Sequence, residues 1–297
     1  MRGLVRAAYT IYRGSPLHPH LGAAIKRVLQ VRNRFVARAP FVHDVGPFRM
    51  HIDLRQLIDT SIYTMGTWEA TSIATIRRLL PAGGTAIDVG ANIGFMTLHM
   101  ADCVGAAGRV VSFEPTTWAY DRLVANLALN DMRQVSPERA GLSDREARHD
   151  EVLVPYSYPL VGDRPFMKDS IVVVRLDRYF EDHPIDRLDF IKCDTDGWEA
   201  HVLRGASATL RRFRPALLLE INPRGLVEQG ESVRSLVSLL GDLGYGLHHE
   251  EDLAPFDDLE AVAERLARTG HDLDVVALHR DSEAAGRLVG QGRQSEA

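Results

Sequence analysis

One strand–turn–helix segment and the strand after it constrain the fold more than any other part of the chain. Residues 86–94 run from an apolar strand through a turn containing Asp88, Gly90 and Gly94 into a helical pattern, and twenty residues later a second apolar strand ends in Glu114. This layout is typical of a nucleotide-cofactor site on a parallel α/β sheet, where the acid accepts both ribose hydroxyls. The alternative is a structural turn without a ligand, which requires both features to coincide by chance.

An acid inside the turn distinguishes between cofactors. A dinucleotide site has a G-x-G-x-x-G turn whose helix N-terminus faces a pyrophosphate. Here the turn is D-x-G-x-x-x-G, and the carboxylate of Asp88 would repel a pyrophosphate. The turn suits a ligand with an ammonium and a sulfonium group, such as S-adenosylmethionine, and it becomes specific through the following residues 113–115, Phe-Glu-Pro.

Strand and helix patterns alternate along the rest of the chain. They predict an α/β fold with a doubly wound, mostly parallel, seven-stranded sheet. Ligands in such sheets bind beyond the carboxyl ends of the strands. The acids at these predicted ends are Asp88, Glu114, Asp144, Asp194, Asp196 and Glu220, where Asp144 follows a third strand that we expect to end near residues 142–144.

The chain divides into one large domain and two appendages. With 297 residues and 45% hydrophobic residues it can bury one sizeable core. We expect an N-terminal extension at 1–66, the sheet domain at 67–280 and a disordered tail at 281–297. Within the extension, residues 41–52 predict a β-hairpin around Gly46-Pro47.

The first 40 residues are strongly basic, with eight Lys/Arg and no acid. Their pattern fits a basic amphipathic helix on an anionic membrane surface or on a phosphorylated substrate. It fits equally a helix packed on the core or on a second copy in a homodimer.

The overall composition excludes several classes of function. A net charge of −5 gives no support to a nucleic-acid partner. Cys103 and Cys193 lie in apolar segments and are expected to be reduced thiols of a cytoplasmic protein. No run of 18 apolar residues predicts a membrane span, and no apolar segment near the N-terminus resembles a secretory signal. Peripheral membrane contact remains open through the basic N-terminal segment.

At this point the chain resembles the FkbM-type methyltransferases, a branch of the class I S-adenosylmethionine-dependent enzymes. The resemblance covers about residues 66–222 and includes Trp68-Glu69 and the motifs at residues 87–94, 114–115, 126–130, 142–144, 176–177, 191–199, 203–206 and 220. Where the family has Val-Glu-Gly-Ala after the conserved strand, this chain has Thr195-Asp196-Gly197-Trp198. These changes are consistent with a subgroup that has a different acceptor.

The resemblance implies roles for particular residues. Asp88, Gly90, Asn92 and Gly94 should surround the methionine half of the cofactor, and Glu114 should hold the ribose. Ser143 and Asp144 should border the adenine, and Glu69 belongs to the same set of cofactor-binding candidates.

Methyl transfer to a hydroxyl group also needs a base, because such a hydroxyl is a poor nucleophile at neutral pH. Asp194, Asp196 and Glu220 are the catalytic candidates, and we favour Asp194 because it ends the strand beside the cofactor strand. Asp196 and Glu199 instead fit a capping box at a helix start. The carboxylates could also hold Mg²⁺ through oxygen ligands, although no ligand spacing supports a metal.

These features predict an O-methyltransferase for a hydroxyl of a sugar, polysaccharide or natural product, with a glycan or small-molecule acceptor. The basic N-terminal segment favours an anionic or membrane-associated glycan. Two alternatives are an NAD-dependent oxidoreductase, which the missing G-x-G-x-x-G disfavours, and a non-catalytic cofactor-binding or scaffold protein. The intact acids Asp88, Glu114, Asp194 and Glu220 disfavour the second alternative.

Overall fold

The computed structural model describes residues 39–155, 165–256 and 258–282. The described chain begins with an antiparallel hairpin of β1 (Phe41–Val45) and β2 (Phe48–Ile52), as predicted, and continues into helix α1 (Leu57–Met65). The hairpin buries Val45, Phe48, Met50 and Ile52 in the same core as the main sheet. The predicted basic helix within residues 1–38 and the predicted tail beyond residue 282 lie outside the described residues.

A seven-stranded sheet forms the centre of the molecule and confirms the predicted fold class. Its strands are β3 (Thr85–Val89), β4 (Arg109–Phe113), β5 (Val135–Glu138), β9 (Phe190–Cys193), β10 (Ala216–Ile221), β11 (Tyr245–His249) and β12 (Leu273–His279). Their order across the sheet is β11-β12-β10-β9-β3-β4-β5. β12 runs antiparallel to both of its neighbours, whereas the other adjacent pairs are parallel.

Helices cover both faces of this sheet. After α1 they are, in chain order, α2 (Ala70–Leu79), α3 (Phe95–Val104), α4 (Thr117–Leu129), α5 (Leu176–Asp182), α6 (Glu199–Gly205), α7 (Ser207–Phe213), α8 (Pro223–Glu228), α9 (Val233–Asp242) and α10 (Leu259–Thr269). Helices α2, α3 and α4 and the hairpin bury one face, and α5–α10 bury the other. No helix in the described part of the chain is long and apolar enough to cross a membrane.

The alternation of side chains along each strand decides which acids meet. In β3, Ala86 packs in the core of the α2–α4 face, whereas Ile87 and Val89 pack in the opposite core. Because successive side chains point to opposite faces, Asp88 belongs to the α2–α4 face. The same parity places Lys192, Glu220 and Asp274 of the neighbouring strands on that face.

The third predicted strand is where the sequence interpretation was wrong. The third parallel strand of the main sheet is β5, which ends at Glu138. Residues 141–142 form β6 (Gly141–Leu142), which belongs to a separate three-stranded sheet with β7 (Ala147–Pro155) and β8 (Phe166–Val174). Asp144 therefore does not follow a strand of the central sheet.

Candidate cofactor and methyl-transfer site

The turn between β3 and α3 uses left-handed backbone at three positions: Gly90, Asn92 and Gly94 have φ of 81°, 48° and 86°. A Cβ at Gly90 would lie 1.9 Å from the carbonyl oxygen of Asp194, and one at Gly94 would lie 2.5 Å from Cδ1 of Leu123. Both glycines are thus required by the close approach of the turn to the end of β9 and to α4. This packing brings Asp194 directly against the turn.

Glu114 is held in place by the same turn. Its Oε2 accepts from the Asn92 backbone N at 3.0 Å, and its Oε1 accepts from the N and Oγ1 of Thr116 at 2.9 and 2.6 Å. Burial raises the pKa of Glu114, although these hydrogen bonds oppose the rise. A carboxylate has about four lone-pair sites, and these three donors occupy three of them, so one site on Oε2 stays open for a ribose hydroxyl.

Two buried oxygen atoms beside the turn lack a donor. Asp88 is fully buried, and its Oδ2 accepts from Thr97 Oγ1 at 2.6 Å. Asp88 Oδ1 and Asn92 Oδ1 are buried without a hydrogen-bond partner in the described chain. Buried polar atoms are normally paired, so acceptors without donors fit a ligand that brings N–H groups. The ammonium group of S-adenosylmethionine is such a donor, and the residues present therefore fit this cofactor.

A buried lysine links the turn to the candidate base. Lys192 lies opposite Asp88 in the β3–β9 register, and its Nζ is 2.6 Å from Asp194 Oδ2. Burial alone would lower the pKa of Lys192, but the charges of Asp194, Glu69 and Asp88 raise it. Burial would likewise raise the pKa of Asp194, but the charge and hydrogen bond of Lys192 outweigh it and lower that pKa. Asp194 is therefore an anion at neutral pH.

Glu220 is the second carboxyl group at Asp194. Burial, followed by the charge of Asp194, raises the pKa of Glu220 well above its usual range. The two side chains share a hydrogen bond. Two carboxyl groups can bond in this way only when one holds a proton, so neutral Glu220 donates to the Asp194 carboxylate.

Sequence analysis missed two members of this group. Asp274 lies opposite Glu220 in the β10–β12 register. Glu250 follows β11, where its Oε1 accepts from Ser72 Oγ of α2 at 2.6 Å. Asp274 lies near the start of β12. Because β12 is antiparallel to its neighbours, its start lies at the edge of the sheet where the parallel strands end, and the sequence pattern does not show this direction. We define the acidic cluster as Glu69, Asp88, Asp194, Glu220, Glu250 and Asp274.

Glu69 belongs to the acidic cluster and not to the group around Glu114, the residue predicted to hold the ribose. It precedes α2 with φ of 45°. Burial raises its pKa most, while Lys192 lowers it and Asp194 raises it further. The structure thus places Glu69 beside Lys192 and Asp194, and its cofactor-binding role stays a prediction.

Asp196 does not join the cluster, and the predicted capping box is wrong. Asp196 is exposed with φ of 52°, and Trp198 occupies the N-cap of α6. The left-handed Asp196 and Gly197 lengthen the loop and move the helix start beyond them. Glu199 Oε1 instead accepts from the N and Oγ1 of Thr195 and from Gly197 N at 2.9–3.1 Å. Glu199 therefore braces the loop.

Ser143 and Asp144 face α6. Asp144 Oδ2 lies 3.2 Å from His201 Nδ1, and Ser143 Oγ donates to Asp144 Oδ1 at 3.2 Å. Burial would raise the pKa of Asp144, but the hydrogen bond and charge of His201 lower it. Gly141, two residues before Ser143, lies next to Pro115, the residue after Glu114: a Cβ at Gly141 would lie 3.6 Å from Pro115 Cβ. The adenine-bordering role of Ser143 and Asp144 stays a prediction.

The donor set gives no support to a metal. The described residues contain no group of three or more His, Cys, Asp or Glu side chains arranged to hold an ion. The Mg²⁺ alternative therefore has no structural basis here.

The strand order with a single antiparallel strand, the glycine turn and the acid after β4 together define a class I S-adenosylmethionine-dependent methyltransferase. Residues 88–247, more than half of the chain, match the family model described as the methyltransferase FkbM domain. The chain belongs to the FkbM methyltransferase family, and this excludes the dinucleotide oxidoreductase alternative.

Individual relatives are distant. The methyltransferase sdnD of Sordaria araneosa is 29% identical over 203 residues, which cover 57% of this chain and 76% of that protein. Among solved structures, the FkbM methyltransferase of Methylobacillus flagellatus KT is 20% identical with a TM-score of 0.41, covering 66% of this chain. This chain spans only 44% of that protein's length. A SAM-dependent O-methyltransferase of Thermotoga maritima is 14% identical with a TM-score of 0.42, covering 78% of this chain and 74% of its own.

Proposed function

We propose that this chain is an O-methyltransferase that uses S-adenosylmethionine to methylate a hydroxyl group of a sugar, polysaccharide or natural product. The observation that carries the proposal is Asp194, whose backbone carbonyl packs against Gly90 of the glycine turn and whose carboxylate is kept anionic by Lys192. A hydroxyl acceptor needs a base within hydrogen-bond reach, whereas a neutral amine does not.

The cofactor would be held by the residues around the turn. Glu114 would accept from a ribose hydroxyl, and Asp88 and Asn92 would offer their unpaired oxygens to the ammonium group. When bound, S-adenosylmethionine would supply the methyl group for transfer to the acceptor oxygen, with a neutral thioether as the leaving group. The hydroxyl proton passes to Asp194, and the hydrogen bond between Glu220 and Asp194 stabilises the two carboxyl groups after the transfer.

The contribution of the protein is therefore alignment and proton removal. The turn, Glu114 and Asp194 are fixed by backbone contacts and need no rearrangement among themselves. Holding the acceptor oxygen, carbon and sulfur in line converts a bimolecular step into an effectively unimolecular one.

The test is transfer of labelled methyl groups from S-adenosylmethionine to a panel of glycans and hydroxylated small molecules. With an accepted substrate, Asp194→Asn should lower kcat by about 10²–10⁴-fold and change cofactor affinity only a few-fold. Asp196→Asn is the matched control and should keep turnover, because Asp196 is exposed. Loss of turnover in Asp196→Asn with retention in Asp194→Asn would contradict the assignment of the base. Label on nitrogen or carbon would contradict O-methylation.

A further inference from the structure

The acidic cluster contains more carboxyl groups than a base and a cofactor site require. Its six members come from five places in the chain: the start of α2, β3, the end of β9, β10 and the β11–β12 region. Lys192 is the cation that faces them. A resting site with this composition carries surplus negative charge unless some of the acids hold protons.

Glu220 and Asp274 are a cross-strand pair within this cluster. They lie directly opposite each other on antiparallel strands, where Cβ atoms are about 5 Å apart and like charges destabilise the sheet. Glu220 also bonds to Asp194, which already requires a proton on one of the two. The groups that face the pair from the surrounding elements are Glu69, Asp88, Lys192, Asp194, Glu250 and Asp272.

We propose that binding of a sulfonium-bearing cofactor releases protons from the Glu220–Asp274 pair, and that loss of the sulfonium charge returns a proton to it. The inference rests on the proposed function, since it needs S-adenosylmethionine at the glycine turn. Asp274 acts here as a positioning residue, because it works through Glu220 and Asp194.

The titration of the pair agrees with this geometry. Burial, and then the charges of Glu250 and Glu69, raise the pKa of Asp274 to about 7. Asp274 is therefore about half protonated at pH 7. A cation placed beside the cluster lowers the pKa of its carboxyl groups and releases part of that proton.

The coupling has a use in the reaction. Transfer of the methyl group removes the sulfonium charge, so the cluster binds protons more tightly at the moment when the acceptor hydroxyl must lose one. That proton enters at Asp194 and is shared with Glu220 and Asp274. The bonds and charges balance without any further reactant.

The experiment is calorimetric titration of the full chain at pH 7 with S-adenosylmethionine and with S-adenosylhomocysteine, which lacks the sulfonium charge. Each titration is repeated in phosphate and in Tris, because the difference in buffer ionisation heat reports the protons released per cofactor bound. We expect S-adenosylmethionine to release more protons than S-adenosylhomocysteine, with a difference of up to about half a proton, from a group with a pKa of about 7. An analogue with an amine in place of the sulfonium should behave like S-adenosylmethionine.

Two variants locate the released proton. Asp274→Asn should bind both cofactors and abolish the difference between them. Glu264→Gln is the control, because it removes an exposed acid of α10 that is not among the groups facing the pair, and it should keep the difference. Equal proton release by both cofactors in the unmodified chain, or a difference that persists in Asp274→Asn, overturns the inference while leaving the proposed function intact. Absence of binding by either cofactor contradicts the proposed function itself.

Discussion

At the scale of single residues, Lys192 controls the charge balance of the site. It lies on a central strand, is 5% exposed, and pairs with Asp194 at 2.6 Å. The negative charges of Glu69 and Asp88 also raise the pKa of Lys192. Asp194 lies two residues after Lys192 in the sequence, so the alternation of side chains along a strand places the two on the same face. Its two further acidic neighbours depend on the packing of β3 and α2 and could not be predicted from spacing.

We expect Lys192→Met to lower the free energy of unfolding by about 3–5 kcal/mol, because removal of one partner leaves a buried charge uncompensated. The loss should be largest at pH 8 and smaller at pH 5, where the neighbouring carboxyl groups take up protons. Urea denaturation at the two pH values measures this. A loss that does not depend on pH would show that the lysine acts through packing alone.

His99 provides a second prediction at this scale. It is 6% exposed, and its ring lies 4.8 Å from that of Phe48 and 4.9 Å from that of Phe95. Burial, and then the charge of Arg77, lower the pKa of His99 to about 4. Between pH 6.5 and 4, His99 is protonated in the unfolded chain but stays neutral in the folded chain. The free energy of unfolding therefore falls as the pH falls through this window.

We expect His99 to account for about 3 kcal/mol of this acid destabilisation. His99→Leu should flatten the fall in unfolding free energy between pH 7 and pH 4.5, measured by urea denaturation. His271→Leu, at an exposed position, is the matched control. An unchanged pH dependence in His99→Leu would contradict a neutral buried histidine.

At the scale of elements, Asn126 of α4 and Asn130 at its C-cap bind the N-terminal hairpin, and Asn126 also binds the cofactor turn. Asn126 Oδ1 accepts from His51 N and its Nδ2 donates to Ile93 O, both at 2.8 Å. Asn130 bonds to the N and O of Arg49, also at 2.8 Å. The two side chains thus replace a neighbouring strand along β2, and Asn126 continues the contact into the glycine turn.

We expect Asn126→Ala to lower the free energy of unfolding by about 2–4 kcal/mol, because it leaves a buried donor and a buried acceptor unpaired. It should also weaken S-adenosylmethionine binding through Ile93. Asn130→Ala is the control, since Asn130 contacts the hairpin but not the turn. Calorimetry and denaturation separate the two effects. Equal cofactor affinity in both variants would show that the hairpin is not coupled to the turn.

The elements also show where prediction from sequence succeeds. β3 and β4 are continuous apolar runs next to glycines, and their positions follow from the sequence. β5 is Val-Ser-Pro-Glu at the edge of the sheet. β5 is an edge strand and has no apolar run. The sequence therefore predicted the third strand at the following residues, which include Gly141-Leu142. The start of α6 was misplaced for a different reason, because left-handed Asp196 is not visible in a cap pattern.

At the scale of the whole molecule, the alternation of strands and helices predicted the fold, and the glycine turn, Glu114 and the other motifs over about residues 66–222 predicted the family. The acidic cluster was only partly predictable. Asp88, Asp194 and Glu220 end parallel strands and follow from the pattern, whereas Asp274 enters from an antiparallel strand. Its position depends on strand order, which a single sequence does not show.

We expect S-adenosylmethionine at about 100 times its Kd to add about 2.7 kcal/mol to the stability of the fold. For a chain of this size the unfolding temperature should rise by about 4–5 °C. NAD should give no shift, and Glu114→Gln should reduce the shift because its amide would face the N–H groups of Asn92 and Thr116. Scanning calorimetry measures this. A shift with NAD alone would contradict the cofactor assignment.

The position of β12 in the sheet has a consequence for how the protein is made. β11 pairs only with β12 within the described sheet, and β12 comes later in the chain. During translation, β11 emerges before its neighbour in the sheet and can form only the short bridge between His248 and Pro255 until residue 279 has followed it. Asp274 arrives in that same late segment. A nascent chain can therefore assemble the turn and the ribose acid early, but it completes the acidic cluster only after Asp274 has emerged.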